Sequence, residues 1–561
     1  MDGAELPRQH QLLAVTVTKT VNRIASARLA YLDGSASASD FPLSNAPTFV
    51  PGKVVEILAG AGGNPVTLFK GVVVRQSLKV RDHTAPQLVV ECRHKAVKLT
   101  VGRKNAYFVD QTDADIISSL ISAAGLSADV ESTTVTHSQQ VQFRSTDWDF
   151  IRSRARANGK LVFTNGDAVT VKAPATGGTA NVTLQLGATI LELDAEIDAR
   201  RQFSAVKGIS WDPAQQSLVE SEAADPGFSG PGNLTGDDLA ALMALDSYDL
   251  RHAAMAEDEA KAWADAEWLH SKMNKVSGRV KCEGIATVNP GDVTAIAGAG
   301  DRYSGNVYVT GVRHDFDPVQ GWKTHVQFGG VDDVWSEHDA ISSPPAGGVL
   351  AAVHGLQIGV VTSNEDEQGE HRVRVRLPVV NNDEDGIWAR VSSLDAGADR
   401  GFFFRPDVGD EVVVGFLDGD PRRAVMLGML HSSANAAPLQ GSDDNHEKVY
   451  QSRSKMKLSF NDDTKVIELS TPSGNTLTLS EEDEAITVVD QNGNTIEMTP
   501  DGITIESSKA LTLKAATELK LESGTSFGVK GGTELKLEGT ASAELSCSAT
   551  TTLKGGVVQI N

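Results

Sequence analysis

From Ile503 onward the chain carries a pair of apolar residues, one residue apart, every eight positions. The pairs are Ile503/Ile505, Leu511/Leu513, Leu519/Leu521, Phe527/Val529 and Leu535/Leu537. They continue more weakly at Ala543/Leu545 and Thr551/Leu553, and Gly, Ser, Thr, Lys and Glu fill the intervals. Each unit predicts one short strand with alternating faces, then a turn. A strand that short cannot bury its apolar face alone. Three walls facing a common axis bury it. One chain building all three walls would use a longer coil with its corners in different places. A uniform octad predicts instead three identical chains, each supplying one wall per layer. The expected object is a rigid trimeric β-prism with Ile503, Ile505, Leu511, Leu513, Leu519, Leu521, Phe527, Val529, Leu535, Leu537, Leu545 and Leu553 in its core.

The preceding chain reads as β with some α. LLAVTVTKTV, KVVEILAG, VTLFKGVVV and QLVVECR alternate between residues 12 and 101, separated by clusters such as AGAGGNP. ADIISSLISAAG predicts a helix from Ala114, capped by Asp113 and stopped by Gly125. DWDFIRSRARANG predicts a second helix from Asp147 to Gly159, and strands follow to about Ser210. Residues 212–238 are polar, acidic and rich in Gly and Pro, the pattern of a mobile loop. A long helix, with or without a break, is expected from about Asp237 to Lys275, with Thr235 as a candidate cap. Strands return from Gly278 to Phe328, and SEHDAISSPPAGG around Pro344 reads as a linker. Residues 354–431 predict a compact unit of about five strands. The stretch before Ile503 is less regular, with TPSGN at 471–475 and DQNGN at 490–494 as turns.

Composition narrows the function classes. The 561-residue chain is long enough for several domains; it is 5% aromatic and holds 52 glycines, which favours strands and turns over aromatic-lined clefts. Its net charge of −23 argues against nucleic acid, which demands a basic surface. Three dispersed cysteines, Cys92, Cys282 and Cys547, imply neither a disulfide framework nor a zinc site. The first residues lack an apolar signal core and no run approaches a membrane span, so cytoplasmic assembly without a cleaved signal is expected.

Candidate chemistry is sparse. The acidic loops 364–370 and 381–386 lack the spacing of an EF-hand and read as turns. Gly60–Gly63 and Gly298–Gly300 lack the Lys-Ser/Thr of a phosphate loop. The 13 histidines show no HExxH pattern. Glu481, Glu482, Asp483 and Glu484 read as a solvated turn rather than a glycan-cleaving acid pair. No nucleophile motif is present, and Cys547 shares the inward parity of Leu545. No enzyme, cofactor or metal is expected.

The middle unit carries a family resemblance. Its matching elements are Gly359-Val360-Val361, the RVRV strand ending at Leu377-Pro378, Trp388-Ala389-Arg390-Val391, Ala396-Gly397, Gly401 and Pro406. They continue with Val408-Gly409-Asp410-Glu411-Val412, Gly419-Asp420-Pro421 and Gly428. This order resembles the oligosaccharide-binding-type barrel of VgrG-type spike proteins of contractile injection systems and of the phage T4 tail needle. Residues 1–335 resemble the hub of the same family through SARLAYLDG, FVPGKVVEI, LFKGVVV, STDWDFIRSRARANG and NPGDV…YSGNVYVTGVRHDF.

The resemblance implies a hub over residues 1–340, a barrel over 350–432, a linker over 433–452 and a trimeric intertwined β-helix over 453–561. It implies a homotrimeric central spike, with tube and baseplate proteins at the hub, effector cargo in some relatives, and a target membrane met only on puncture. The start of the hub favours the extracellular phage-tail-like branch; a type VI secretion VgrG or a phage tail spike is the alternative. No lysozyme-like domain separates barrel from needle. The apolar end formed by Val557, Val558 and Ile560, with Asn561, is expected to carry a PAAR-like tip protein, because open β ends are usually covered. A glycan-cleaving tailspike would need exposed aromatics beside a carboxylate pair, yet only Phe460 and Phe527 lie beyond Ser452. A receptor-binding fibre would not need the hub.

Overall fold

The first strand, Leu12–Thr20, lies at the middle of the largest sheet, between Ser26–Leu32 and Gly305–Asp317. Closing this sheet requires the chain to return after almost 300 residues. Such long-range pairing is slow to form but fixes register over its whole length. The computed structural model describes residues 1–560 except 8, 36, 38, 61–64, 213–214, 253–254, 331–344 and 346–349. The expected linker around Pro344, most of the Gly60–Gly63 loop and Asn561 therefore lie outside the described residues. The chain divides into two compact units, residues 1–356 with 415–425, and residues 357–414 with 426–561.

The eleven-stranded sheet of the first unit carries two separate cores. One gathers Val17, Leu29, Tyr31, Phe49, Val55, Phe69, Leu88 and Val90. The other gathers Leu184, Val280, Val309, Val312, Val326 and Phe328. A third core, containing Leu99, Ile117, Ile121, Trp148, Ile151, Val162 and Val169, joins two helices to a three-stranded sheet. The first helix begins one residue earlier than the pattern suggests, at Asp113, and the second begins at Asp147 as expected. Thr112 caps Asp113–Ala123, accepting from the Asp115 amide while the Asp115 carboxylate accepts from Thr112 N–H. Thr146 caps Asp147–Ala157 in the same way through Asp149.

Asp113 is thus not the cap. Its buried carboxylate accepts from Arg154 at 2.6 and 3.0 Å, from Asn158 at 2.8 Å and meets His137 at 3.1 Å. Burial alone would raise this carboxyl, but the Arg154, Asn158 and His137 contacts hold it below the ordinary value. Removing Arg154 would strand a buried charge, which generally costs about 3–5 kcal/mol.

Two further expectations are corrected. The single long helix is two, Gly236–Met243 and Glu257–Met273, with the strand Tyr248–His252 between them. Ala244, in the left-handed conformation at φ 50°, ends the first helix, and Tyr248–His252 pairs in parallel with Val206–Asp212. Thr235 does cap the first helix, through the Asp238 amide. The stretch read as a mobile loop contains the strand Ser217–Glu222. The rest of it is anchored: Lys275 Nζ donates to Leu234 O at 2.6 Å, Lys272 to Asp237 at 2.8 Å, and Ala224 N–H to Asp265 at 2.7 Å.

Gln357–Ser363, Val373–Arg376, Ile387–Val391, Ala424–Met429 and Glu411–Phe416 close, in that order, into a five-stranded barrel. Val361, Val373, Val375, Ala389, Val412, Val414 and Met426 fill it. Gly359 has no alternative: a Cβ there would stand 2.2 Å from a Val375 methyl. The acidic loops beside the barrel are tied down internally. Arg372 grips Asp366 at 2.8 and 2.7 Å, and Arg374 reaches Asp385 at 3.2 Å.

Past the linker, seven strands form one antiparallel meander: Glu447–Gln451, Lys457–Asn461, Val466–Ser470, Thr476–Ser480, Ala485–Val489, Thr495–Thr499 and Gly502–Glu506. Gly474 and Gly493, at φ 93° and 85°, turn the chain at TPSGN and DQNGN as expected. Glu481–Glu484 form a turn between two strands. Over residues 453–506, the first part of the expected intertwined β-helix, every strand pairs within its own chain.

Two buried histidines give the first unit an acid-sensitive core. Burial, aided by the Arg156 charge, lowers His270 to about 3; burial and the Lys19 charge lower His314 to about 4. Both stay neutral when folded, whereas the unfolded chain takes up these protons below pH ~6.5. Stability present above that pH is therefore lost as pH falls, by roughly 1.4 kcal/mol per unit for each group until its folded pKa is reached. His270→Leu removes one share of this slope. Its melting temperature should fall less than wild type between about pH 7 and about pH 4.5; identical slopes would show that His270 is not responsible.

Candidate assembly interface

The meander has one polar and one apolar face. Cross-strand partners place Ser459, Glu468, Thr478, Thr487, Glu497 and Thr504 in one row. Two apolar ladders flank that row on the opposite face. One runs Phe460–Ile467–Leu479–Ile486–Met498–Ile503; the other runs Tyr450–Leu458–Leu469–Leu477–Val488–Ile496–Ile505. No second layer of the chain covers this face. Ile467, Leu479, Ile486 and Met498 line an open cleft of about 670 Å³ upon it.

The ladders also reach the barrel. Tyr450 meets Phe404 edge-on at 4.9 Å, and Phe404 lies 5.8 Å from Phe402. Phe402, Phe403 and Phe404 are all exposed in one chain. Arg453 reaches Asp407 at 3.4 Å beside them.

Beyond Glu506 intrachain pairing stops. Residues 507–560 form no strand, and nearly every one of them is exposed. Gly502 is the last described residue with positive φ, so the chain makes no further reversal. The twelve predicted core residues, Ile503 to Leu553, are between 52% and 83% exposed. Ile503 and Ile505 belong to the last meander strand and pair with Met498 and Ile496. The remaining ten have no neighbouring strand in their own chain. Val557, Val558 and Ile560 are equally bare. Cys547 is exposed in one chain, while Cys92 and Cys282 are buried in the first unit.

The sequence reading missed Leu458, Phe460, Ile467, Leu469, Leu477, Leu479, Ile486, Val488, Ile496 and Met498. Their signal was present as apolar pairs one residue apart, but at intervals of nine or ten rather than eight. Four- and five-residue turns close these hairpins, but interval length alone does not decide the reversal: the last hairpin, from Thr495–Thr499 to Gly502–Glu506, follows an interval of seven and turns tightly before Gly502 at φ 135°.

Among the described residues no group of three or more His, Cys, Asp or Glu is arranged to hold a metal ion. Nor is any described helix long and apolar enough to cross a membrane.

Residues 1–317 match the family described as the Alg8 N-terminal domain. Residues 357–431 match the type VI secretion system/phage-baseplate injector OB domain, and residues 466–561 the phage baseplate V C-terminal trimerisation domain. The actin cross-linking toxin VgrG1 of Vibrio cholerae is 30% identical over 118 residues, 20% of this chain and 11% of that protein. The type VI secretion system spike protein VgrG5 of Pseudomonas aeruginosa is 31% identical over 143 residues, 24% of this chain and 17% of that protein. The chain thus spans less than a fifth of the length of these relatives. A 43 kDa tail protein of prophage MuSo2 from Shewanella oneidensis aligns with a TM-score of 0.42 and 13% identity, over 56% of this chain and 93% of its own.

Substitution separates the two faces. Leu479→Asp and Leu519→Asp each place three carboxylates in a closed apolar core, at several kcal/mol per buried charge. Both should abolish heat-resistant trimers on gels. Thr504→Asp and Lys520→Asp, on the outer face, should leave the trimer intact. Equal behaviour of inner and outer variants would reverse the assignment of faces.

Proposed function

Because this chain belongs to the family of the Alg8 N-terminal domain and is a VgrG-type spike protein by its domain set, we propose that it is the homotrimeric central spike of a contractile injection system. The phage-tail-like extracellular branch is favoured by the hub; a type VI secretion spike is the alternative. The hub seats on the inner tube and baseplate, and the C-terminal needle punctures a target envelope mechanically. One observation carries this reading: an apolar ladder begins at Tyr450, runs through the meander, and continues over residues 507–560 with no covering strand in its own chain. Burying a Leu-sized side chain contributes about 1.5–3 kcal/mol. Three copies closing one core would gain that at every layer, and bending such a shaft would break many backbone hydrogen bonds together.

The role is structural rather than catalytic. The best-buried carboxylate, Asp113, is committed to Arg154, Asn158 and His137. The acidic run at Glu481–Glu484 is a turn, with Asp483 bonded to Ser480 at 2.8 Å. The acidic surface and sparse aromatics speak against nucleic acid or glycan as the barrel's ligand; the barrel joins hub to needle. The exposed Val557, Val558 and Ile560, with Asn561, form the seat of a PAAR-like tip protein, and effector cargo would travel with that tip.

Sedimentation equilibrium of the whole chain should return three times the 59.4 kDa of one copy. A stable folded monomer would overturn the reading. Val557→Asp with Ile560→Asp should abolish co-purification of a tip protein from the same gene cluster and leave the trimer unchanged. Undiminished capture would remove the tip from these residues.

A further inference from the structure

The apolar columns of the octads resolve their register only weakly. If one copy slides along the axis by eight residues, Leu511/Leu513 takes the place of Leu519/Leu521 unchanged, and the central layers still hold one apolar pair against another. Phe527/Val529 is the one central pair of different shape, so the slide costs packing there and a layer at the end. A shaft specified by these residues alone would assemble in several registers, as weakly specified strands do.

One outward column breaks the degeneracy. The fourth position of successive octads, counted from the first apolar residue, is Glu506, Lys514, Glu522, Lys530 and Glu538. Its sign changes at every step, so its period is sixteen residues while the apolar period is eight. Ser546 ends the alternation. All five residues are exposed. Among the described residues none of the five forms an ion pair with another within the chain; Glu538 reaches Lys536 on its own strand. The alternation starts at Glu506, the last residue of the last strand paired within the chain. Upstream of it, register is fixed by hairpins; Ser507 and Ser508 still bond to Asn494 and Asn492, and among the described residues beyond them no strand pairing within the chain fixes it.

The geometry of a three-walled shaft says what faces this column. A copy that supplies one wall per layer turns a corner between octads, so its next octad lies one layer down on the next wall. The strand directly below any octad on the same wall therefore belongs to a neighbouring copy, and it is that copy's following octad. Fourth positions then stack about 4.8 Å apart. Lys514 of one copy lies over Glu522 of the next, and Glu522 over Lys530. We propose that this column is the register code of the assembly, a ladder of Glu–Lys pairs between copies of this chain that selects the aligned trimer over slipped ones. The proposal rests on the trimeric spike reading.

Exposed ion pairs are individually weak. What gives this column its weight is that a slip changes every junction together. When one copy moves by one octad, one of its neighbours meets it two octads out of step and the other meets it level. Both arrangements set Glu beside Glu and Lys beside Lys. Paired charges at the edge of a coiled-coil seam choose register and partner by the same logic, penalising wrong alignments more than stabilising the right one.

The test uses the full chain with Cys547→Ser. Lys514→Cys/Glu522→Cys should oxidise to a covalent trimer on a non-reducing denaturing gel, because the two positions stack on adjacent strands. Lys514→Cys/Lys530→Cys, two layers apart, should stay monomeric on that gel. The opposite crosslinking pattern would overturn the register. In a second arm, Lys514→Glu/Lys530→Glu makes the column uniformly acidic. It should lower shaft melting by several degrees at about 50 mM salt and recover at about 0.5 M. Exchanging Glu and Lys at all five positions restores the alternation and should restore wild-type melting. Equal melting of the acidic and wild-type shafts at low salt, or a fivefold exchange as unstable as the acidic variant, would remove the column's role. A monomeric wild type would sink the trimeric reading itself, before either arm is read.

Discussion

A backbone segment buried without hydrogen-bond partners is among the costliest arrangements a protein can adopt, and an exposed row of leucines is nearly as unfavourable. Residues 507–560 show the second directly in a single chain, and they meet the first as soon as another surface covers their leucines. They make no strand and cover no apolar side chain. Everything else about the molecule follows from supplying these residues with partners. The meander before them presents an uncovered apolar face of its own. The barrel adds Phe402 and Phe404 at the top of the same face, against Tyr450.

The hub is built on the opposite principle. Its eleven-stranded sheet is joined at its middle by Leu12–Thr20, and its three main cores are built from one chain. Its charges are likewise settled internally: Asp113 with Arg154, Asp167 between Lys70 and Lys95, Lys272 with Asp237. Such a unit is complete without a second copy. Octad strands with unpaired edges are, by contrast, prone to pairing with the wrong neighbours.

Motifs that invite a chemical reading resolve into architecture. The acidic loop 364–370 is closed by Arg372 on Asp366, whose carboxyl that contact holds well below the usual range. Glycines that resemble phosphate loops in spacing serve close approach or reversal instead, as Gly298 does at φ 78° against Gln185. In both places the polar groups are satisfied by one another within the chain.

The sequence by itself determined the parts governed by local periodicity. The eight-residue apolar interval, the positive-φ turns at Gly474 and Gly493, the five barrel strands and the two hub helices all follow from side-chain spacing and turn chemistry, which act over a few residues. Tertiary structure decided what depends on distant partners. Asp113 is held by Arg154, some forty residues away, a partner that no local pattern announces. The expected long helix yields to a strand at Tyr248–His252 because Val206–Asp212 offers it a ladder. Residues 453–506 fold as a meander through intervals of nine, ten and, at its end, seven residues, so spacing does not announce the reversal and only pairing shows it. An apolar alternation states which face must be covered. Whether its own chain or another copy covers it depends on which backbone reaches the strand edge, a contact that side-chain spacing does not encode.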